Sequence, residues 1–307
     1  MLTRLKNTME KRIIISLLFF FTISLSHAQA WMTNLEIAQS LASVQNKMVL
    51  MVWEETTKYP YPVFINSENG KTIFINNLFE DELVSPIIWK NFVPVIVSED
   101  EYADLYLKIK GKRSQKYIDK FNDDSIKILD INGNILNTSY SSLDYENITT
   151  MIQEYALNTE FIAVELMSYK QKQDFYSAYY LASKYIDYSM YMKESVRQEV
   201  IDLANIYLSE AAAFVETEKN EDQLLLQQRV ELLKIQEDLI TKRPKKVLRQ
   251  LKRIDTEDVE PNNQAFVAFL YYTAYEILND KTNAEQWKYK ISSVNLKKAE
   301  LIINLNS

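Results

Sequence analysis

The chain has 307 residues, of which 47% are hydrophobic and 25% charged, and its net charge is −7. This composition is typical of a folded globular protein of about two domains and excludes collagen-like and disordered chains. The chain has no Cys, one His and three widely spaced Gly residues. Thiol chemistry, Cys-based metal sites and the glycine-rich loops that bind phosphates or dinucleotides are therefore excluded.

Residues 1–30 have the layout of a signal peptide, with a basic start, an apolar segment from 13 to 25 and small residues before Ala30. The apolar segment is shorter than the roughly 20 residues of a membrane-spanning helix. The leader carries four basic residues and one acidic residue, so its removal changes the net charge from −7 to −10. We therefore predict an exported protein, periplasmic or extracellular, which binds neither nucleic acid nor, after cleavage, a membrane.

Residues 31–157 alternate short apolar runs with turn signals, which is typical of an α/β domain. Asn69-Gly70 and Asn132-Gly133 each mark a hairpin, because both residue types tolerate a positive φ. In chain order we predict a helix over 35–45, a buried strand over 48–53, a hairpin of 63–65 with 72–75, a helix over 83–92, a strand over 93–97, a hairpin of 125–129 with 134–136 and a helix over 143–157.

Residues 158–307 form a second domain in this interpretation. From 161 to the end the chain contains no Gly, so strands with tight turns are not expected. Apolar residues recur at helical spacing in about six segments, each with one apolar stripe that must pack against a neighbour. The half is therefore predicted to be all-helical, either a bundle or a stack of helical hairpins similar to tetratricopeptide repeats.

The first domain resembles the thioredoxin-like fold of secreted proteins. The resemblance rests on residues 46–53, NKMVLMVW, which are similar to that family's "NKPVLVxFW" strand, and on residues 128–136, ILDINGNIL, which are similar to its "FLDxxGKVL" hairpin. The element order also agrees: helix, buried strand ending in Trp53, helix, strand, hairpin, helix. The resemblance covers residues 31–157 and implies a thioredoxin-like α/β domain.

The redox elements of that family are missing. Its redox members place Cys-x-x-Cys after the first strand, where this chain has residues 54–62, EETTKYPYP, followed by the Asn69-Gly70 hairpin. At the position of the family's cis-proline the chain has Asp123 or Asp124. The resemblance therefore implies a scaffold that is kept for packing or binding. A redox enzyme that lost its cysteines recently is a weaker alternative, because the inserted hairpin alters the active-site loop.

The candidate binding residues are Trp53, Tyr59 and Tyr61. Trp53 ends the first buried strand, and ligands of open α/β sheets bind beyond the carboxyl ends of strands. Tyr59 and Tyr61 alternate with prolines at the same end, so they would form a rigid aromatic contact surface for a protein or peptide. The alternative is that these rings only cover the edge of the sheet.

A group of tyrosines in the helical half offers a second possible surface, although interhelical packing with hydroxyls at the rim is the simpler interpretation. They crowd 23 residues on one or two helices, and a groove for a peptide or sugar is the alternative. The group consists of Tyr169, Tyr176, Tyr179, Tyr180, Tyr185, Tyr188 and Tyr191.

The one His, His27, lies in the predicted signal peptide, so carboxylates are the main acid–base groups left in the mature chain. Glu54-Glu55 and Glu99-Asp100-Glu101 each follow a predicted strand and would supply a hydrolase with paired acids. Asp130 to Gly133 has a fragment of a calcium-loop pattern without its remaining acids, and a plain hairpin turn is expected there. We predict a non-catalytic binding or assembly module without cofactor or metal, with a carboxylate-dependent hydrolase as the alternative.

Overall fold

The computed structural model describes residues 30–139, 145–217, 222–254 and 258–307. The predicted signal peptide lies outside the described residues except for Ala30. The start of the helix predicted over 143–157 also lies outside them. Within the described ranges, no helix is both long and apolar enough to cross a membrane.

The first half is mixed α/β, as predicted. A short 3-10 turn at Glu54–Lys58 follows Trp53. The elements of this half are α1 (Leu35–Gln45), β1 (Met48–Trp53), β2 (Val63–Asn66), β3 (Thr72–Ile75), α2 (Val84–Asn91), β4 (Phe92–Val97), α3 (Glu99–Ile109), α4 (Gln115–Asn122), β5 (Lys127–Leu129), β6 (Glu146–Asn147) and α5 (Ile148–Tyr155).

The central sheet has the strand order β4-β1-β5. β1 runs parallel to β4, with Trp53 opposite Val97, and antiparallel to β5. Single bridges extend the sheet at both edges, from Met32 to Val95 and from Leu129 to Ile135. β1 lies in the middle and is buried from Met48 to Val52, which explains its continuous apolar run.

A second small sheet has the order β3-β2-β6. β2 and β3 form the predicted antiparallel hairpin, in which Val63 pairs with Ile75. Gly70 has a φ of +74° in the turn between them, a conformation that favours glycine. The hairpin lies in the chain between β1 and α2, so the segment after Trp53 leads into a second sheet and not directly into a helix.

The second half contains eight α-helices and no strand within the described residues, in agreement with the predicted all-helical class. The extra helices relative to the expected six are short, and an apolar repeat is hard to recognise over two turns. The helices are α6 (Ala163–Gln171), α7 (Phe175–Ser189), α8 (Glu194–Thr217), α9 (Gln223–Ile240), α10 (Pro244–Leu251), α11 (Gln264–Ile277), α12 (Lys281–Lys288) and α13 (Ser293–Asn306).

Both halves contribute to one continuous hydrophobic core that reaches from Leu35 to Ile302. A backbone hydrogen bond of 3.0 Å runs from the Thr159 N–H to the carbonyl of Asn46, and the Glu199 carboxylate accepts from the Ser139 N–H at 2.6 Å. The two halves are therefore packed and hydrogen-bonded to each other. That residues 31–157 and residues 158–307 can each fold alone stays a prediction.

Candidate functional site

Trp53 ends β1 at the carboxyl end of the parallel strand pair, as its place in the sequence predicts. Its indole N–H donates to Glu99 Oε2 at 3.1 Å, and its ring stacks on Tyr102 with 5.3 Å between centroids. Both partners belong to α3, which follows β4. The ring is therefore held in place by groups that only the folded sheet brings together.

The segment after Trp53 is polar and largely open to solvent. Lys58 and Glu55 form an ion pair at 2.5 Å on the surface of the 3-10 turn, where it adds little stability. Tyr59 follows with 71% of its surface exposed. Of the acids proposed for hydrolase chemistry here, Glu99 binds the Trp53 indole and Glu55 pairs with Lys58.

Tyr61 differs from Tyr59, because its hydroxyl is tied to the interior. The phenol donates to Glu146 Oε2 at 2.6 Å, and its ring lies 5.8 Å from Phe79, which contacts Trp31. Burial raises the pKa of the Tyr61 phenol and also that of Glu146. Tyr61 and Trp53 therefore pack into different aromatic clusters, and Tyr59 is the most exposed of the three predicted binding residues.

Two buried lysines lie at the same end of the central sheet. Lys127 Nζ lies 3.2 Å from Asp123 Oδ1 and 5.8 Å from the centroid of the Tyr102 ring. Lys120 Nζ lies 3.5 Å from the other oxygen of the same carboxylate. Burial lowers the pKa of Lys127 to about 8. Although burial opposes it, hydrogen bonds from Ser125 and the two lysine charges lower the pKa of Asp123.

The sequence offers little sign of this lysine cluster. Lys127 stands between Ile126 and Ile128 on a short strand, where alternation places a polar residue on an exposed face. In the structure that face is covered, because Tyr102 of α3 lies against the Lys127 side chain. Asp123, one of the two residues equated with the family's cis-proline, is the partner of both lysines.

A cavity of about 550 Å³ lies between the α/β half and the helical half. Arg113 is its central cation: one terminal nitrogen lies 2.7 Å from Glu210 Oε1 and 3.1 Å from Asn134 Oδ1. Tyr169 donates to the second oxygen of Glu210. Further charged residues in the wall are Glu36, Glu101, Asp104 and Lys108. The wall is therefore polar, with more acidic than basic groups.

Asp130 joins the two halves beside this cavity. Its carboxylate accepts from the backbone N–H groups of Asn132 and Asn134 at 2.9 and 3.0 Å, from the Tyr185 hydroxyl at 3.2 Å and from the Tyr207 hydroxyl. Burial raises the pKa of Asp130. Asp130 thus belongs to a turn, as expected, but its side chain is a buried link to α7 and α8.

Most of the tyrosine group in the helical half serves packing. Tyr185 is fully buried, and its ring stacks on Tyr207 at 5.8 Å. Tyr176, Tyr180 and Tyr191 are about half exposed. No group of three or more His, Cys, Asp or Glu side chains within the described ranges has the geometry to hold a metal ion.

Comparison of the chain with protein-family models, with curated proteins and with solved structures found no match in any of the three.

Proposed function

We propose that the chain is an exported, non-redox binding or assembly module, in which a thioredoxin-like domain is joined to a helical interaction domain. The strand end after Trp53 carries this proposal. Where the resemblance implies a dithiol, the chain has the polar turn Glu54–Lys58, and Trp53 is bound by Glu99 and Tyr102. The order α1, β1, α2, β4, β5 and α5, into which β2, β3, α3 and α4 are inserted, supports the thioredoxin-like assignment.

The binding surface in this proposal centres on Tyr59. Its ring is exposed between the 3-10 turn and β2, and prolines at 60 and 62 restrict the backbone around it. A restrained aromatic side chain loses little entropy when it becomes buried against a partner. Trp53 precedes this surface in the chain and is held by α3, whereas Tyr61 anchors the segment to Glu146.

The experiment compares partner capture by the mature protein, Tyr59→Ala and Tyr289→Ala, using the exported proteome of the source cells. Tyr289 is a matched control, because 78% of its surface is exposed and it lies in the helical half. We expect Tyr59→Ala to reduce capture about tenfold, since an aromatic anchor often contributes about 2 kcal/mol to binding. Both variants should keep the wild-type melting temperature. Equal capture by all three proteins would contradict the proposed surface.

The second candidate function is a carboxylate-dependent hydrolase. The cavity of about 550 Å³ between the two halves favours it. Glu36, Glu101, Asp104 and Glu210 all line this cavity, and paired acids in a cleft are what glycoside hydrolysis requires. Glu210 is already engaged by Arg113 and Tyr169. Glu101 and Asp104 are the better pair, because they lie three residues apart on α3 and so on neighbouring turns of one helix.

The hydrolase is tested with a panel of nitrophenyl glycosides. We expect Glu101→Gln and Asp104→Asn each to abolish turnover and Glu99→Gln to retain it. Absence of turnover by the wild-type protein counts against this function.

A further inference from the structure

A second cavity, of about 290 Å³, lies within the helical half between α7, α9 and α13 and the start of α11. Among the described residues, no carboxylate lines it. Its wall combines two cations with side-chain amides and aromatic rings, chiefly Arg229, Lys298, Asn262, Asn295, Tyr179 and Tyr180. The wall therefore favours an anion over a cation.

The two cations of this wall are not equivalent. Lys298 Nζ lies 2.8 Å from Asp187 Oδ1, so its charge is already balanced. Within the described part of the chain, no carboxylate oxygen lies within 4 Å of the Arg229 guanidinium. Arg229 is thus the cation that is left for a ligand.

The orientation of Arg229 is set by a buried amide. Its Nε donates to Asn263 Oδ1 at 3.2 Å. Asn263 is 1% exposed, and its own amide nitrogen donates to the Leu225 carbonyl at 3.0 Å and to Gln228 Oε1 at 3.2 Å. Because the Nε edge is used in this way, the two terminal nitrogens remain for the cavity. Such a pair matches the two oxygens of a carboxylate.

The rest of the wall suits a peptide. Asn262 and Asn295 offer amide donors and acceptors of the kind that pair with peptide N–H and C=O groups. Tyr179 is buried, and Tyr180 is half exposed with its ring 5.8 Å from that of Tyr179. The volume lies just under the roughly 300 to 1,000 Å³ of drug-sized ligand sites, which is enough for the end of a chain.

We propose that this cavity binds the C-terminal carboxylate of a peptide, with Arg229 as the carboxylate receptor and the asparagine amides as partners of the peptide backbone. The site is separate from the surface at Tyr59 and does not rest on the function proposed above. A ligand held here would be recognised by its chain end.

The test measures fluorescence anisotropy of the full mature protein with a fluorescein-labelled pool of random pentapeptides that end in a free carboxylate. The same pool with an amidated C-terminus, and an amidated pool with one internal Glu, are the competing probes. We expect the free-acid pool to bind at least tenfold more tightly than either amidated pool. Equal affinity for all three pools, or preference for the internal Glu, would overturn the assignment.

Variants of the wall then locate the site. Arg229→Gln should weaken free-acid binding at least tenfold, whereas Arg249→Gln, which removes an exposed arginine of α10, should leave it unchanged. Asn262→Asp is a second test in case the arginine variant misfolds. Asn262 is exposed, so its replacement should not disturb the fold. The new carboxylate should repel the carboxylate of the peptide and weaken binding. If Arg229→Gln and Asn262→Asp, both folded by circular dichroism, bind like the wild type, the proposal is wrong.

Discussion

Replacing Asp130 with Ala should be among the most damaging single changes to the stability of this protein. Asp130 is buried, and four donors converge on its carboxylate. Two of these donors are the phenols of Tyr185 and Tyr207, neither of which is exposed to solvent. Asp130→Ala leaves all four donors without this acceptor, and three of them, the two phenols and the Asn134 N–H, lie in the interior.

The magnitude follows from the number of groups left unpaired. Each buried donor without a partner costs roughly 1 to 3 kcal/mol, so the three buried donors predict a loss of about 3 kcal/mol or more. Domains have roughly 5 to 15 kcal/mol of total stability, so this loss is a large fraction of the total. With a shift of about 2 to 4 °C per kcal/mol, the melting temperature should fall by about 10 °C.

The assay is thermal and urea unfolding of the protein, monitored by circular dichroism. Asp100→Ala is the control, because Asp100 is an exposed aspartate on α3. A double-mutant cycle of Asp130→Ala with Tyr207→Phe isolates the contact between Asp130 and Tyr207. The double variant should be more stable than the sum of the two single effects predicts. If Asp130→Ala costs no more than Asp100→Ala, the argument from unpaired donors is refuted.

The pH dependence of Asp130 has a definite sign. Its pKa is raised by burial, so the native state retains the proton at pH values where the unfolded chain has lost it. The free energy of unfolding therefore falls as pH rises from the unfolded pKa, near 4, through the native pKa. Asp130→Asn removes this titrating group and with it the pH dependence that it causes. Urea titrations of the wild type and of Asp130→Asn, at pH values from about 4 upwards, measure the difference.

Four further predictions concern other parts of the chain. Burial raises the pKa of Glu237 to about 7, so its contribution to the free energy of unfolding falls by roughly 3 kcal/mol between about pH 4.5 and 7. Glu237→Gln should make the free energy of unfolding less dependent on pH in this range, as measured by urea titrations. Tyr61→Phe leaves buried Glu146 without its phenol donor and should cost about 1 to 3 kcal/mol, measured by urea unfolding. Residues 158–307 alone should give a helical circular-dichroism spectrum with cooperative unfolding, and a disordered spectrum would contradict independent folding. Without a thiol, the protein should not accelerate insulin reduction by dithiothreitol, and any acceleration above a heat-inactivated sample would exclude a non-redox protein.

Local patterns were sufficient for much of the fold. The apolar run at residues 48–53 predicted β1 because a central strand is buried on both faces. Asn69-Gly70 predicted the β2–β3 hairpin, and the absence of Gly after residue 161 predicted the helical half. Helix α3 was missed although its signal is present: Ser98 caps the helix and Glu101 follows three residues later.

The candidate site was predicted only where it depends on local chemistry. The absence of thiols follows from residue types alone. The choice of Tyr59 as a binding residue rested on the neighbouring prolines. Tyr61 could not be distinguished from Tyr59 in this way, because its partner Glu146 is 85 residues further along the chain. Lys127 and Asp123 are close in sequence, but the surroundings that bury Lys127 come from β1 and α3.

The sequence by itself thus determined most of the types of element, the absence of thiol-based redox and metal-thiolate chemistry and the acidic character of the chain. The tertiary structure alone decided which polar groups became buried partners: Asp130 with Tyr207, 77 residues apart, and Arg229 with Asn263, 34 residues apart. The physical reason is that helix and strand periodicity depends on neighbouring residues, whereas burial and hydrogen-bond partners depend on where distant segments pack.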